Sequence, residues 1–155
     1  MRSNPSHGTL VVARQQRGNE LTTGSIQFSY DVSTGIRTAA YSGAVGDALL
    51  IAAYRNLIRQ SDFVPLAHDL ADLRGVTTIA LTPAGLNGLG LLLPGGGQPK
   101  PPNVSGLAIV ANTPESRGIA QMFAQMSESC LPKDTRVFDS IDEARAWLKS
   151  LPRLA

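Results

Sequence analysis

The stretch that most constrains the fold is Gly106 to Ser129, GLAIVANTPESRGIAQMFAQMSES, in which an apolar run leads through a polar turn into a segment with helical spacing. The continuous apolar run is typical of a strand buried on both faces of a mostly parallel sheet. Thr113 suits a helix N-cap, and Pro114 suits the first helical position, where its missing N–H costs nothing. This stretch therefore predicts a strand followed by a helix whose inward face is formed by Ile119, Ala120, Met122, Phe123 and Met126.

A hairpin and a helix are predicted upstream. Residues 25–30 alternate between apolar and polar side chains, residues 36–41 follow as a second strand, and the loop between them ends in a glycine, as in a hairpin. Gly43 is expected to end the hairpin. Asp47 is expected to cap a helix that runs to about Gln60.

Two further units follow the first helix. Residues 66–73 are interpreted as a strand, which His68, Asp69 and Asp72 make more polar than a fully buried one. Thr82 is a natural N-cap with Pro83 behind it, so a second helix is predicted there. Its three glycines each cost roughly 1 kcal/mol against alanine, so the helix depends on tertiary contacts or a partner. The Pro- and Gly-rich residues 94–102 are predicted to form a loop.

The C-terminal unit is predicted as a short strand over residues 135–138 and a helix that starts with a capping box of Ser140 and Glu143 and stops before Pro152. The resulting order of elements predicts a single α/β domain. Its sheet is mixed and largely parallel, with about five strands and about four helices packed on it. Residues 24–155 are assigned to this domain, and residues 1–23 to an N-terminal tail or edge strand.

Composition excludes several classes of function. The formal net charge is +2 and no block of like charge occurs, so a nucleic-acid partner is not expected. The single cysteine, Cys130, cannot form an intramolecular disulfide. The apolar residues 86–93 are interrupted by Asn87, Gly88 and Gly90, and the N-terminal residues lack a signal-peptide core. We therefore expect a cytoplasmic protein without stable membrane insertion.

Four stretches together resemble the SpoIIAA-like members of the STAS superfamily, a fold also compared with CRAL-TRIO domains. They are GSIQFSYDVSTGIRTAAYSG, ADLRGV, LAIVANTPESRGIAQMF and RVFDSIDEARAWL, within residues 24 to 151. The resemblance implies a mostly non-enzymatic regulator that binds partner proteins. In the family's sporulation antagonist, a phosphorylatable serine starts the helix after the third strand. Here TTIALTPAGL covers that position, so Thr82 is the candidate phosphorylation site, with a plain N-cap as the alternative.

Polar residues are expected to gather at the carboxyl ends of the parallel strands, where ligands bind in open α/β sheets. Solvated caps and turn residues would give the same pattern. The candidate binding residues at this edge are Asp72, Arg74, Thr82, Asn112, Thr113, Ser116, Arg117 and Asp139.

No catalytic or metal-binding motif is recognisable. His68 is followed by Asp69, but adjacent strand residues point to opposite faces, so a structural strand histidine is favoured over a relay. Two histidines and one cysteine, far apart in sequence, do not predict a zinc site. The triple glycine at 95–97 follows a helix and precedes a strand, the reverse of a phosphate-binding turn. No cofactor is therefore expected.

Two functional hypotheses follow. The first is a non-catalytic STAS-type regulatory or binding module that acts through protein partners or through a small ligand, including an apolar one. The second is a small enzyme that uses Asp72, Arg74 and Arg117 on a polar metabolite.

Because Leu91, Leu92 and Leu93 span about 200° of a helix, one sheet face cannot bury all three. The adjacent loop, a second subunit or an apolar ligand is the candidate cover for the remaining leucine. Because its three glycines make this helix the least self-sufficient element, residues 82–102 are predicted to couple binding to ordering.

Overall fold

In the part of the chain that the structure describes, six strands form one sheet, in the order in which they occur along the chain, and four helices pack on it. The computed structural model describes residues 12–14, 24–93, 105–130 and 133–152. The strands are β1 (Val12–Arg14), β2 (Ser25–Asp31), β3 (Ile36–Gly46), β4 (His68–Ala80), β5 (Ser105–Val110) and β6 (Lys133–Phe138). The helices are α1 (Asp47–Ile58), α2 (Pro83–Leu92), α3 (Pro114–Cys130) and α4 (Ile141–Ser150).

The sheet is mixed. Strands β1, β2 and β3 pair antiparallel, whereas β3, β4, β5 and β6 pair in parallel. The hairpin between β2 and β3 is fixed by Asp31, whose carboxylate accepts a hydrogen bond from the Ser33 N–H at 2.9 Å, and by Gly35, whose φ of 70° favours glycine. The predicted α/β class, with a largely parallel sheet and four helices, is confirmed. Val12–Arg14, upstream of the hairpin, add the short edge strand β1.

The helices divide between the two faces of the sheet. Helices α1, α2 and α3 cover one face in a core that includes Phe28, Leu50, Leu89 and Ile109. Helix α4 covers the other face through Leu148 and its neighbours. Each buried strand alternates between the two cores, as the period of two requires. Strand β5 is buried along its whole length, as its continuous apolar run predicts.

The predicted helix caps after β4, β5 and β6 are present. Thr82 Oγ1 accepts a hydrogen bond from the Gly85 N–H at 3.1 Å, and Thr113 Oγ1 accepts one from the Ser116 N–H at 3.1 Å. Ser140 Oγ accepts from the Glu143 N–H at 3.4 Å. Each of these bonds satisfies a backbone donor that the start of a helix leaves open.

Two predicted strand ends and one predicted helix cap are wrong. Strand β4 continues past residue 73 to Ala80, and β3 continues through Gly43 to Gly46, because the second halves of these strands pair with each other. Gly43 has a φ of 71° at a register shift, so it bends the strand instead of ending it. Asp47 does not cap α1, since Gly46 occupies the N-cap position and Asp47 is the first helical residue.

The three leucines that end the predicted second helix have different environments. Leu93 is buried, Leu92 is half-buried and Leu91 is 64% exposed. Leu91 and Leu92 are the last two residues of α2 and point in different directions, whereas Leu93 is the C-cap in extended backbone and turns into the core. The predicted loop at residues 94–102 lies outside the described residues.

Candidate functional site

A buried ion pair between Arg37 and Asp69 joins the start of β3 to the start of β4. Arg37 Nε donates to Asp69 Oδ1 at 2.7 Å, and Arg37 Nη2 donates to Asp69 Oδ2 at 3.2 Å, so the contact is bidentate. Their side chains are only 5% and 8% exposed. Burial alone would lower the pKa of Arg37, but the Asp69 carboxylate outweighs burial and raises that pKa, so the guanidinium stays charged.

The strand register and a tight turn create this pair. Arg37 and Asp69 are direct partners in the parallel β3–β4 ladder, so their side chains lie on the same face. After α1, the Phe63 N–H donates to the Gln60 carbonyl at 3.1 Å, and this turn brings the Phe63 ring over the Arg37 guanidinium, 5.0 Å from it. The Val64 carbonyl, in the same loop, accepts a hydrogen bond from Arg37 Nη1 at 2.8 Å.

Beside this pair lies the amino-end cavity, a hollow of about 150 Å³ at the amino ends of β3 and β4. It opens between the β2–β3 hairpin, the end of α1 and the loop before β4. Its wall is mainly aromatic and aliphatic, with a few polar groups. The lining residues are Phe28, Ser29, Tyr30, Val32, Arg37, Leu57, Gln60, Asp62, Phe63 and Val64.

Two buried tyrosines, Tyr41 and Tyr54, lie on the same side of the sheet as the ion pair. Their hydroxyl oxygens are 3.3 Å apart, and the Tyr54 ring packs edge-on against the cavity residue Phe28 with centroids 5.0 Å apart. Burial raises the pKa of Tyr41 well above its ordinary value. Burial together with the Asp69 charge raises the pKa of Tyr54 to about 12. Both phenols are therefore neutral at pH 7 and serve the packing of this region as hydrogen-bonding groups.

His68 holds two parts of the chain together. Its Nδ1 accepts a hydrogen bond from the Gly106 N–H at 2.9 Å, so the proton of the neutral ring is on Nε2, which donates to the Pro152 carbonyl at 3.0 Å. The imidazole is buried and faces α4, whereas the neighbouring Asp69 faces α1. The structural interpretation of His68 therefore agrees with its geometry.

The candidate residues at the carboxyl ends of the strands contact one another in small groups. Arg74 Nε and Nη2 each donate to the Asp72 carboxylate at 2.9 Å. Partial burial would raise the pKa of Asp72, but the hydrogen bonds from Arg74 outweigh it, so the pKa is lowered. Arg117 forms an ion pair with Asp139, and both side chains are at least half exposed.

The start of α3 holds the other predicted residues of this edge. Ser116 Oγ and Thr113 Oγ1 are 2.7 Å apart, and each hydroxyl also accepts a hydrogen bond from the other residue's backbone N–H. This reciprocal arrangement is a capping box. Asn112 is exposed in the turn between β5 and α3.

Thr82 lies apart from the other candidates. The carboxyl end of β5 is level with Asp72, but β4 continues to Ala80, which adds roughly 25 Å of extended chain at about 3.3 Å per residue. There the Thr82 N–H donates to the Asp47 carboxylate at 2.9 Å, and the Thr82 hydroxyl contacts the same carboxylate. A phosphate on Thr82 would therefore stand against a carboxylate.

Within the described ranges, no cluster of three or more His, Cys, Asp or Glu residues has the arrangement of a metal site. None of the helices that the structure describes is both long and apolar enough to cross a membrane.

Sequence analysis missed the Arg37–Asp69 pair and the cavity beside it. A charged residue in each of two neighbouring strands was the available signal, since an inward charge needs a partner. The pairing itself depends on the register between β3 and β4, which these two segments do not encode locally.

No protein-family model and no curated protein matches the sequence. An uncharacterised protein of the DUF3478 family from Shewanella loihica PV-4, with a SpoIIAA-like fold, is similar in structure with a TM-score of 0.46 and 15% sequence identity. The alignment covers 96% of this chain and 98% of that chain.

Proposed function

We propose that the protein is a non-catalytic, STAS-type binding or regulatory module whose ligand is a small, partly apolar molecule held in the amino-end cavity. The observation that carries this proposal is the cavity itself, a hollow of about 150 Å³ with aromatic walls beside a buried guanidinium. Ligand sites are concave, mostly apolar and provided with a few fixed polar groups. In this cavity the fixed polar group is the Arg37 guanidinium, which its hydrogen bonds to Asp69 and Val64 hold in place.

The alternative is a small enzyme that acts at the carboxyl ends of the strands, and it has less support. Its two candidate cations are already paired: Arg74 with Asp72 and Arg117 with Asp139. A catalytic group also needs a nucleophile, base or metal beside it. Turnover in a broad substrate screen that is abolished by Asp72→Ala would favour the enzyme and contradict the proposal.

A cavity-blocking variant tests the proposal. Gln60 lines the cavity and is half-buried, so Gln60→Trp would fill the space without replacing a core side chain. Arg59→Trp, at the next position and exposed, is the matched control because Arg59 does not line the cavity. Purified proteins would be unfolded and their small-molecule content measured by mass spectrometry. We expect the same compound from the wild type and Arg59→Trp, and none from Gln60→Trp.

A metabolite library completes the test. A specific ligand at 100 times its dissociation constant stabilises the folded state by about 2.7 kcal/mol, which raises the melting temperature by about 5–11 °C for a domain of this size. We expect this shift in the wild type and Arg59→Trp only. If no compound co-purifies and no library member shifts the melting temperature, the proposal of a small-molecule ligand is wrong. A partner protein recovered alone would then support the protein-binding form of the first hypothesis.

A further inference from the structure

We infer that the amino-end cavity selects a neutral, ring-sized molecule that carries one carbonyl or hydroxyl oxygen. This inference rests on the proposed function and specifies the ligand class. It follows from three properties of the wall: its volume, its charge and its hydrogen-bond donors.

The volume sets the size of the ligand. A cavity of about 150 Å³ is on the scale of the engineered apolar cavity that holds one benzene molecule. Phe28, Leu57 and Phe63 supply the faces and edges against which a flat ring packs. Val32, also on the cavity wall, is 51% exposed and adds apolar surface beside the exposed Asp62. This volume has room for one ring and its substituent but not for a long acyl chain.

The charges on the wall oppose an ionic ligand. Among the described residues that line the cavity, Arg37 is the one cation, and the Asp69 carboxylate already neutralises it through two hydrogen bonds. An anion entering the cavity would therefore lose its hydration without gaining a counter-charge. The wall also carries the Asp62 carboxylate, but Asp62 is exposed, so solvent screens its attraction for a cation. A cation inside the cavity would lose its hydration among mainly apolar side chains. A neutral ligand avoids both costs.

The donors on the wall call for an acceptor oxygen. A guanidinium has five N–H groups, and Arg37 uses three of them for Asp69 and Val64. Two N–H groups on Nη1 and Nη2 remain for a further acceptor. The Phe63 ring covers a face of the guanidinium, so the planar group is held for in-plane hydrogen bonds. A carbonyl oxygen on the ring-sized ligand would accept from these donors.

Four probes of matched ring size test the inference: benzamide, toluene, benzoate and benzylamine. Affinities at pH 7 would be measured by titration with NMR detection, and amide shifts at Leu57 and Phe63 would locate the site. We expect benzamide to bind at least about tenfold more tightly than toluene, because a hydrogen bond to a charged donor is worth about that factor. Benzoate and benzylamine should bind at least about tenfold more weakly than benzamide.

Two variants and one control variant separate the ligand class from the existence of the site. Gln60→Trp should abolish binding of all four probes, and Arg59→Trp should leave it unchanged. The double variant Arg37→Met/Asp69→Leu removes the donors but keeps an apolar wall, so benzamide should lose its advantage over toluene. Circular dichroism would verify that the double variant folds. If the double variant does not fold, the ranking of the four probe affinities on the wild type decides the inference.

The outcomes are distinguishable from those of the proposed function. If benzoate or benzylamine binds as tightly as benzamide at the cavity, the inferred ligand class is wrong while a small-molecule site remains. If no probe shifts Leu57 or Phe63, the inference is also wrong, and a co-purifying compound excluded by Gln60→Trp would still support the proposed function.

Discussion

Removing one partner of the buried Arg37–Asp69 pair should destabilise the fold far more than removing both. Arg37→Met leaves the Asp69 carboxylate buried without its counter-charge, and Asp69→Leu leaves the guanidinium in the same position. Breaking a buried pair in this way costs about 3–5 kcal/mol, whereas apolar replacement of both partners is often neutral or stabilising. Each single variant should therefore lower the melting temperature by about 6–20 °C, at about 2–4 °C per kcal/mol.

The assay is urea unfolding of the wild type, both single variants and the double variant Arg37→Met/Asp69→Leu. Far-UV circular dichroism and the fluorescence of Trp147, the one tryptophan of the chain, would be followed together to check for a single transition. The exposed pair Arg117–Asp139 is the control, and Asp139→Asn should cost less than about 1 kcal/mol.

The sign of the comparison can refute the argument. If the double variant is less stable than both single variants, the two charges do not compensate each other in the folded protein. If each single variant costs no more than Asp139→Asn, the pair is solvated and the burial argument is wrong.

Three further outcomes are expected. Burial raises the pKa of Tyr54 from 10.0 to about 12, so the stability that depends on the neutral phenol is present below pH 10 and is lost as pH rises through that range. Alkaline absorbance titration of Tyr54→Phe should lack the late phenolate signal of Tyr54. Gly106→Ala should destabilise by about 1–3 kcal/mol in urea unfolding because a Cβ there meets the side chains of Leu148 and Leu151, whereas the open site Gly118→Ala should gain up to about 1 kcal/mol. Asp47→Asn should weaken the contact with Thr82, cost about 1–2 kcal/mol and speed hydrogen exchange in residues 82–93, and unchanged exchange would contradict this role.

Local signals were sufficient for most helices and for the central strand. A Thr or Ser followed by Pro, or by Glu at the third position, fixed the start of α2, α3 and α4, because the cap bond joins residues three apart. The continuous apolar run of β5 identified it as a strand buried on both faces. These features are encoded within a few residues and do not depend on the rest of the fold.

Longer pairing could not be predicted in the same way. The second half of β4, residues 74–80, is largely polar or exposed and carries no continuous apolar run. It is a strand because it pairs with the second half of β3, from Ser42 to Gly46, across two register shifts. Such pairing is a tertiary effect that overrides weak local preference. The early end predicted at Gly43 had the same cause.

The position of the proposed site follows from that same pairing. The rule for open α/β sheets directs attention to the carboxyl ends of the strands, and the binding residues predicted there, Asp72 and Arg117 among them, stay a prediction. At the opposite end, the β3–β4 register brings Arg37 and Asp69 together, and the turn after α1 places Phe63 over the guanidinium. A buried charge pair costs several kcal/mol in desolvation, so it is weakly justified by stability alone. We therefore interpret this pair as the fixed polar wall of a ligand site, and greater stability of the double variant Arg37→Met/Asp69→Leu, together with loss of benzamide selectivity, would support that interpretation.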